Sequence, residues 1–331
     1  ANGFGGAYVT MYDPTGSTMY FSTVIYDPTA NGGVFNSGVD VDSQGNIYVA
    51  GYTSQHDLPT TAGAFQTAIN GNYDGFIAKI SSAGPALPTI QSAMPSFMGS
   101  AGFSSNMYMD IYGANFTDHS RTKTSSDFSG STAPTQLDGV SVTVDGKAAF
   151  VNFISPGQIN INLPADTATG QVPVQVKSGN QLSNTVMVTL AAASPALWTT
   201  PQFLVNGKQY VVALTPNFSS YIGHPNMVAG LSFTLPKAGD TVTIFALGCG
   251  PTTPATPAGV IPSQGSPLTL PYQVSIGGTT AKVSSAGSVP GTLGLYQFNI
   301  VIPAVAAGDQ SIQLTVNGVA NAQNLFLPVG Q

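Results

Sequence analysis

Three histidines, fourteen aspartates and one cysteine are the side chains of this 331-residue chain best suited to acid–base or nucleophilic chemistry; glutamate is absent. Nucleophilic hydrolysis requires a nucleophile held against a base that is itself oriented by a third group. His56, His119 and His224 fall in polar, loop-like stretches, and no Gly-x-Ser-x-Gly elbow occurs. Glycoside hydrolysis requires two carboxylates at a fixed separation. Asp13 precedes a proline, and Asp138 and Asp145 precede glycines, which are turn contexts where a short carboxylate caps backbone amides. No catalytic set emerges, and the expectation is that the chain is not an enzyme.

One cofactor is admitted by the residue spacing. Asp40, Asp42 and Gln44 place oxygen ligands at the first, third and fifth positions of a loop with Gly45 at the sixth, as a calcium loop does. Gly51 stands where that loop carries a bidentate glutamate, so a hairpin turn is the competing reading. Cys249, in Leu-Gly-Cys-Gly-Pro, has no basic neighbour in sequence and reads as a small buried apolar side chain. Gln158/Asn160 and Gln297/Asn299 recur as a pair. They are read as amides that satisfy backbone groups of the preceding Pro-Gly loop, with a polar binding strip as the alternative. The remaining candidates are aromatic. Tyr8, Tyr12, Tyr20, Phe21, Tyr48 and Tyr52 crowd the first 52 residues and are expected to form an interface.

Composition narrows the elements that position these groups. Charged residues are 7% of the chain, Arg121 is the single arginine, and Gly and Pro number 38 and 24. Such a chain is poor in helix formers, while its short Val/Ile/Phe/Tyr runs suit strands. The net charge of -6, with no basic run, argues against nucleic-acid binding. No apolar run reaches the 18–20 residues of a membrane span. One cysteine allows no internal disulfide. A start at Ala1 without Met is what a processed mature protein shows, and the scarcity of charge suits a secreted, extracellular chain on a bacterial surface.

Two internal repeats are visible. Residues 7–12 (AYVTMY) resemble residues 75–80 (GFIAKI), with strand candidates at 18–25, 38–42 and 46–52 between them. Four short strands followed by the start of another is the period of a propeller blade. The second repeat relates Val142-Thr-Val-Asp-Gly146 to Val274-Ser-Ile-Gly-Gly278, residues 158–164 to 297–303, residues 171–176 to 310–315, and residues 107–113 to 241–248. Alternating strands with turns every 8–12 residues are the pattern of an immunoglobulin-like sandwich.

The runs at residues 42–49 (DSQGNIYV) and 59–66 (PTTAGAFQ) resemble the bacterial beta-propeller repeat of the SBBP type, which occurs in large secreted and surface proteins. Residues 88–329 resemble the C-terminal domain of secreted Solibacter-type proteins, akin to IPT/TIG sandwiches. The carriers are ISPGQIN (154–160), ASPALW (193–198), GCGP (248–251) and VPGTLGLYQFN (289–299). The resemblance implies a fold and assigns no activity.

The expected fold is all-β: a single propeller-blade-like sheet followed by two immunoglobulin-like β-sandwiches. The expected boundaries are 1–80 for the blade, 81–88 for a linker, 89–194 for the first sandwich and 195–331 for the second. A closed propeller has roughly 4–8 blades, so a lone blade leaves edges and an apolar face to be covered. The expected function is structural. Copies of the chain would associate through strand edges, including residues 6–12, into a fibre, sheath or surface layer. The alternative is a carbohydrate-binding or adhesion module of a larger surface protein, with surface polysaccharide as partner.

Overall fold

A computed structural model describes residues 6–12, 16–17, 19–25, 32–42, 45–61, 63–81, 87–96, 102–165 and 168–331, apart from the Tyr20 side chain. Asp13, Tyr26 and Gln44 lie outside the described residues. The chain is all-β as expected, and its only helical pieces among the described residues are two three-residue 3-10 turns, Ser125–Asp127 and Pro201–Phe203. It divides into two compact units, Ala1–Ala86 and Leu87–Gln331.

In the first unit, β1 (Ala7–Tyr12) and β2 (Met19–Ile25) form an antiparallel hairpin. β3 (Val34–Val41), β4 (Ile47–Thr53) and β5 (Asp74–Ile80) form a separate antiparallel sheet in that order. The repeat is therefore a hairpin and a three-stranded sheet rather than one four-stranded blade. Alternation explains how they share a core. Val9 and Met11 of β1, Phe21 and Ile25 of β2, Ile47 and Val49 of β4, and Phe76 and Ile80 of β5 form one apolar cluster. Only Val9, Ile47 and Val49 of that cluster are buried, so the core is small.

The second unit holds two larger cores, and the second sequence repeat is its structural repeat. In the first sandwich, strands Thr89–Pro95 (β6), Tyr108–Ala114 (β7), Gln158–Asn162 and Phe150–Ile154 run side by side, with Arg121–Thr122 at the margin. The facing sheet is built on Val140–Val144, Gly170–Ser178 and Val186–Leu190. Met109, Ile111, Val142, Ile159, Ile161 and Val174 alternate inward and are buried.

In the second sandwich the corresponding pairs are Thr241–Leu247 with Tyr296–Val301, and Tyr272–Ile276 with Gly308–Val316. One strand, Thr279–Ser288, pairs with Tyr272–Ile276 through its first half and with Tyr296–Val301 through its second. It changes partners beside a register shift between Val283 and Ser285, where one extra residue bends a strand. The two layers are thereby joined into one continuous eleven-stranded sheet. Phe298, Ile244, Val274, Leu314 and Leu327 fill the space between them.

Turns obey the backbone. Asn317 (φ 52°) and Gly318 (φ 79°) both adopt left-handed conformations between the strands Gly308–Val316 and Val319–Ala320. Asn-Gly is favoured in such a two-residue hairpin because both positions need positive φ. Asp138 and Asp145 also have positive φ, at 43° and 51°, in keeping with their reading as turn residues.

Candidate functional site

The outer face of the first unit is the surface that sets this chain apart. Of twenty exposed large apolar side chains among the described residues, eleven lie in this unit, which is 86 of the 331 residues. Alternation places them. With Val9 turned inward on β1, Tyr8 (71% exposed) and Tyr12 turn outward, beside Val24 and Met19 on β2. With Val49 and Thr53 inward on β4, Tyr52 turns outward opposite Phe35 of β3. Their rings stack at 5.0 Å, and Tyr73 meets Tyr52 edge-on at 6.0 Å. Ile77 of β5 is exposed on the same side, while Val39 and Val41 are exposed along β3, one margin of the sheet.

The six expected interface residues separate into groups. Tyr8, Tyr12 and Tyr52 are exposed, as an interface requires. Phe21, in register with Met11, is half-buried and packs against the apolar cluster. Tyr48 is half-buried, with its hydroxyl donating to Asp42 Oδ2 at 3.2 Å and the Lys79 ammonium 5.4 Å over its ring. Tyr20 lies on β2, with its side chain outside the description. Phe35, Phe65, Tyr73 and Ile77 went unrecognised. Strict period-two reading from Val49 would have found Phe35 and Ile77 through their cross-strand positions; Phe65 and Tyr73 lie in loops and carry no such signal.

Beside β5 the loop from residue 54 to residue 69 walls a groove of about 860 Å³, whose lining includes Tyr48, His56, Phe65, Gln66, Asp74 and Lys79. Asp74 Oδ2 organises this loop by accepting from Gln66 Nε2 (2.6 Å) and from the Asn70 amide (2.5 Å). The Phe65 ring stands fully in solvent.

The expected calcium ligands do other work. The Asp42 carboxylate accepts from the Asn46 amide (2.9 Å), from Asn46 Nδ2 (2.8 Å) and from Tyr48. Asp40 Oδ1 accepts from the Val41 amide at 2.8 Å. With Gly45 at φ 82°, this is a closed β3–β4 hairpin, and the turn reading accounts for the residues that are described. Among the described residues no three His, Cys, Asp or Glu side chains gather as a metal site would need.

The recurring amides also differ from expectation. Gln158 Nε2 donates to Asn160 Oδ1 (2.9 Å), and Asn160 Nδ2 donates to Asp110 Oδ1 (2.6 Å), which also accepts from Ser96. In the second sandwich Gln297 Nε2 donates to Asn299 Oδ1 (3.0 Å), and Asn299 Nδ2 donates to Ser285 Oγ (2.8 Å). They are rows of side chains across neighbouring strands, not caps on the Pro-Gly loop. The loop is closed instead by Ser155, whose hydroxyl accepts from the Gln158 amide at 2.9 Å.

The histidines occupy three settings. His56 lines the groove. His119 is held between carboxylates, with Nδ1 at 2.6 Å from Asp118 and Nε2 at 3.0 Å from Asp138. Hydrogen bonding to Asp118 and Asp138 raises its pKa; a ring stabilised as the cation is a poor general base. His224 Nε2 lies 2.6 Å from Asp309 Oδ1, while Lys208 Nζ (2.7 Å) and the Tyr210 hydroxyl (2.9 Å) donate to Asp309 Oδ2.

Burial acts to raise the Asp309 pKa, but the hydrogen bonds from Lys208, His224 and Tyr210 outweigh it and hold the carboxyl down to about 2. Burial, then the Asp309 carboxylate, push Tyr210 up to about 12. Because the folded pKa of Asp309 lies below its unfolded value near 4, its stabilisation is complete above that value and lost as pH falls through about 2. Thermal melts between pH 5 and pH 2 test this. Asp309→Asn should melt lower than the parent at pH 5, and the gap should close on acidification. A gap independent of pH would refute the linkage.

Cys249 is fully buried, its Sγ 3.6 Å from the Leu247 carbonyl oxygen, and burial raises its thiol pKa far above the ordinary range.

Comparison with known families agrees with this geometry. Residues 29–59 match the beta-propeller repeat (SBBP) and residues 88–191 match the IPT/TIG domain. The chain thus carries a propeller-type repeat ahead of immunoglobulin-like sandwiches, the first of them an IPT/TIG domain. No curated protein matches it.

Similar solved structures include the surface glycan-binding protein PbSGBP-B of Prevotella bryantii, at 12% identity and TM-score 0.22, covering 72% of this chain and 41% of that one. SGBP-B of the Bacteroides ovatus mixed-linkage glucan utilization locus, in complex with a mixed-linkage heptasaccharide, aligns at 10% identity and TM-score 0.31, covering 100% and 67%. Domains 5–6 of the S-layer protein SbsC align at 13% identity and TM-score 0.19, covering 73% and 98%. Likeness at these scores carries no argument about function. The chain spans about two fifths of the Prevotella protein's length.

Proposed function

We propose that this chain is a non-catalytic adhesion module of an extracellular bacterial surface, with the first unit as its contacting element and surface polysaccharide as its partner. The observation that carries the reading is the groove beside β5. A fully exposed phenylalanine stands among Tyr48, His56, Gln66, Asp74 and Lys79. An aromatic face combined with amide, carboxylate and ammonium groups is the chemistry that stacks on a sugar ring and bonds its hydroxyls. Retention of the full chain on insoluble cellulose, chitin and xylan tests it. At least one should retain the chain, and Phe65→Ala should weaken retention about tenfold, the size of a lost aromatic contact. Passage through all three, or equal retention of the variant, overturns the reading.

A second reading is favoured by a different observation. Phe35 and Ile77 leave the outer face of the three-stranded sheet apolar and exposed, Val39 and Val41, opposite Val49 and Ile47, leave the other face exposed along β3, and β3 and β5 are the sheet's margins. Low charge adds little repulsion between copies. Association of copies into a fibre or layer through this sheet would cover it. Light scattering of concentrated protein, with electron microscopy, should then show assemblies that Val39→Asp/Ile77→Asp disperses. A parent chain that remains monomeric ends this reading and leaves the polysaccharide reading standing.

A further inference from the structure

At the margin of the first sandwich, Arg121–Thr122 pairs with Phe150–Ile154, with Thr122 opposite Phe153. The next residues along are Lys123 and Asn152, joined by the Lys123 amide donating to the Asn152 carbonyl oxygen (2.9 Å). Asn152 is the extra residue of a bulge: Val151 stands opposite Ile161, and Phe153 opposite Asn160, on the neighbouring strand. A bulge re-aims a side chain out of the regular alternation. Here it brings the carboxamide against Lys123, whose Nζ donates to Asn152 Oδ1. The Phe128 ring also covers Nζ, with 5.1 Å to its centroid.

As a simple hydrogen bond this pair is poorly provided for. Asn152 Nδ2 is buried and has no hydrogen-bond partner among the described residues, a state that folded interiors rarely tolerate. Lys123 is half-buried, and no carboxylate among the described residues pairs with it; Asp127, four positions on, is bound by Arg121 instead. Burial without a counter-charge pulls the Lys123 pKa down, toward the neutral amine that is the nucleophile.

A neutral amine held against a carboxamide can replace its nitrogen. We propose that Lys123 and Asn152 become joined by an amide cross-link within the folded chain. Once the ammonium has given a proton to water, the Nζ lone pair attacks Asn152 Cγ. The Nζ–Cγ bond forms, the Cγ–Nδ2 bond breaks, and Nδ2 leaves as ammonia with a proton taken from Nζ. Atoms and charge balance with no co-reactant. Amides resist amines in solution, but fixing both groups in one site is worth effective molarities of roughly 10⁵–10⁸ M. The reaction removes the unpaired ammonium and the orphaned Nδ2 together, and the ammonia diffuses away. The link would tie a two-residue marginal strand to its sheet, a staple that a chain with one cysteine cannot make from sulfur.

Intact-mass measurement of the full chain, stored folded at neutral pH and then denatured, tests the proposal. The expected mass is about 17 Da below that of the sequence, one ammonia. Trypsin should then fail to cut after Lys123 and should release residues 122–147 joined to residues 148–177 as one branched peptide. Lys123→Met should show its own full sequence mass and give no branched peptide. An unaltered chain of full sequence mass overturns the proposal. So does a lighter chain that is cut normally after Lys123, since its ammonia then came from elsewhere, or a Lys123→Met variant that loses ammonia all the same.

Discussion

Phe298→Ala should destabilise the second sandwich by about 3–5 kcal/mol, the range for removing a buried phenylalanine ring. Phe298 is completely buried, stands opposite Ile244 and Ala286 on neighbouring strands, and meets the Tyr272 ring edge-on at 5.6 Å. It lies on Tyr296–Val301, the strand shared by Thr241–Leu247 and Thr279–Ser288, so the cavity would open at the centre of the continuous sheet. Urea unfolding followed by intrinsic fluorescence measures the effect. A loss below about 1 kcal/mol would mean that the neighbours close over the space, against the close packing described here.

Gly248→Ala should disturb the joint between the two sandwiches. Gly248 has φ +70°, where a side chain is strained, and a Cβ there would lie 2.1 Å from the Ser194 carbonyl oxygen and 2.8 Å from Met107 Sδ. Ser194 lies between the strands Val186–Leu190 and Ala196–Leu197, where the first sandwich passes into the second, and its hydroxyl donates to the Gly102 carbonyl oxygen (3.0 Å) and accepts from the Gly102 amide (3.1 Å) of the first sandwich. Strain and collision act together, and a loss of at least about 2 kcal/mol is expected. The informative readout is the shape of the calorimetric transition. If the joint couples the two cores, the variant should split one transition into two, whereas a uniform downward shift of a single peak would show that coupling does not depend on this joint.

Much of the fold was legible because its signals are local. The repeat of Val142-Thr-Val-Asp-Gly in Val274-Ser-Ile-Gly-Gly, and of Gln-Ile-Asn in Gln-Phe-Asn, corresponds to strands with the same partners in both sandwiches. Their Val/Ile alternation sets the inward face in each case. The Asp42–Asn46 turn was also legible, since a carboxylate four residues before an amide side chain can close a hairpin within one segment.

Other features depend on meetings across distance. Nothing near Asp309 in sequence announces Lys208, Tyr210 and His224. The side on which Phe21 packs was not legible, because alternation fixes two faces without saying which one is inward, and the small cluster around Val49 decides that. The amide rows were misread for a related reason: side chains two residues apart on a strand share a face, so Gln158 reaches Asn160 before it reaches the loop.

The burial of Cys249 has a consequence for redox chemistry. It is the chain's single sulfhydryl, and it is sealed from any oxidant by the core of the second sandwich. Thiol–disulfide exchange requires an accessible thiolate, so no covalent bond can tie one folded molecule to another through sulfur. Transfer of the folded chain from reducing buffer to air should therefore leave its melting curve unaltered.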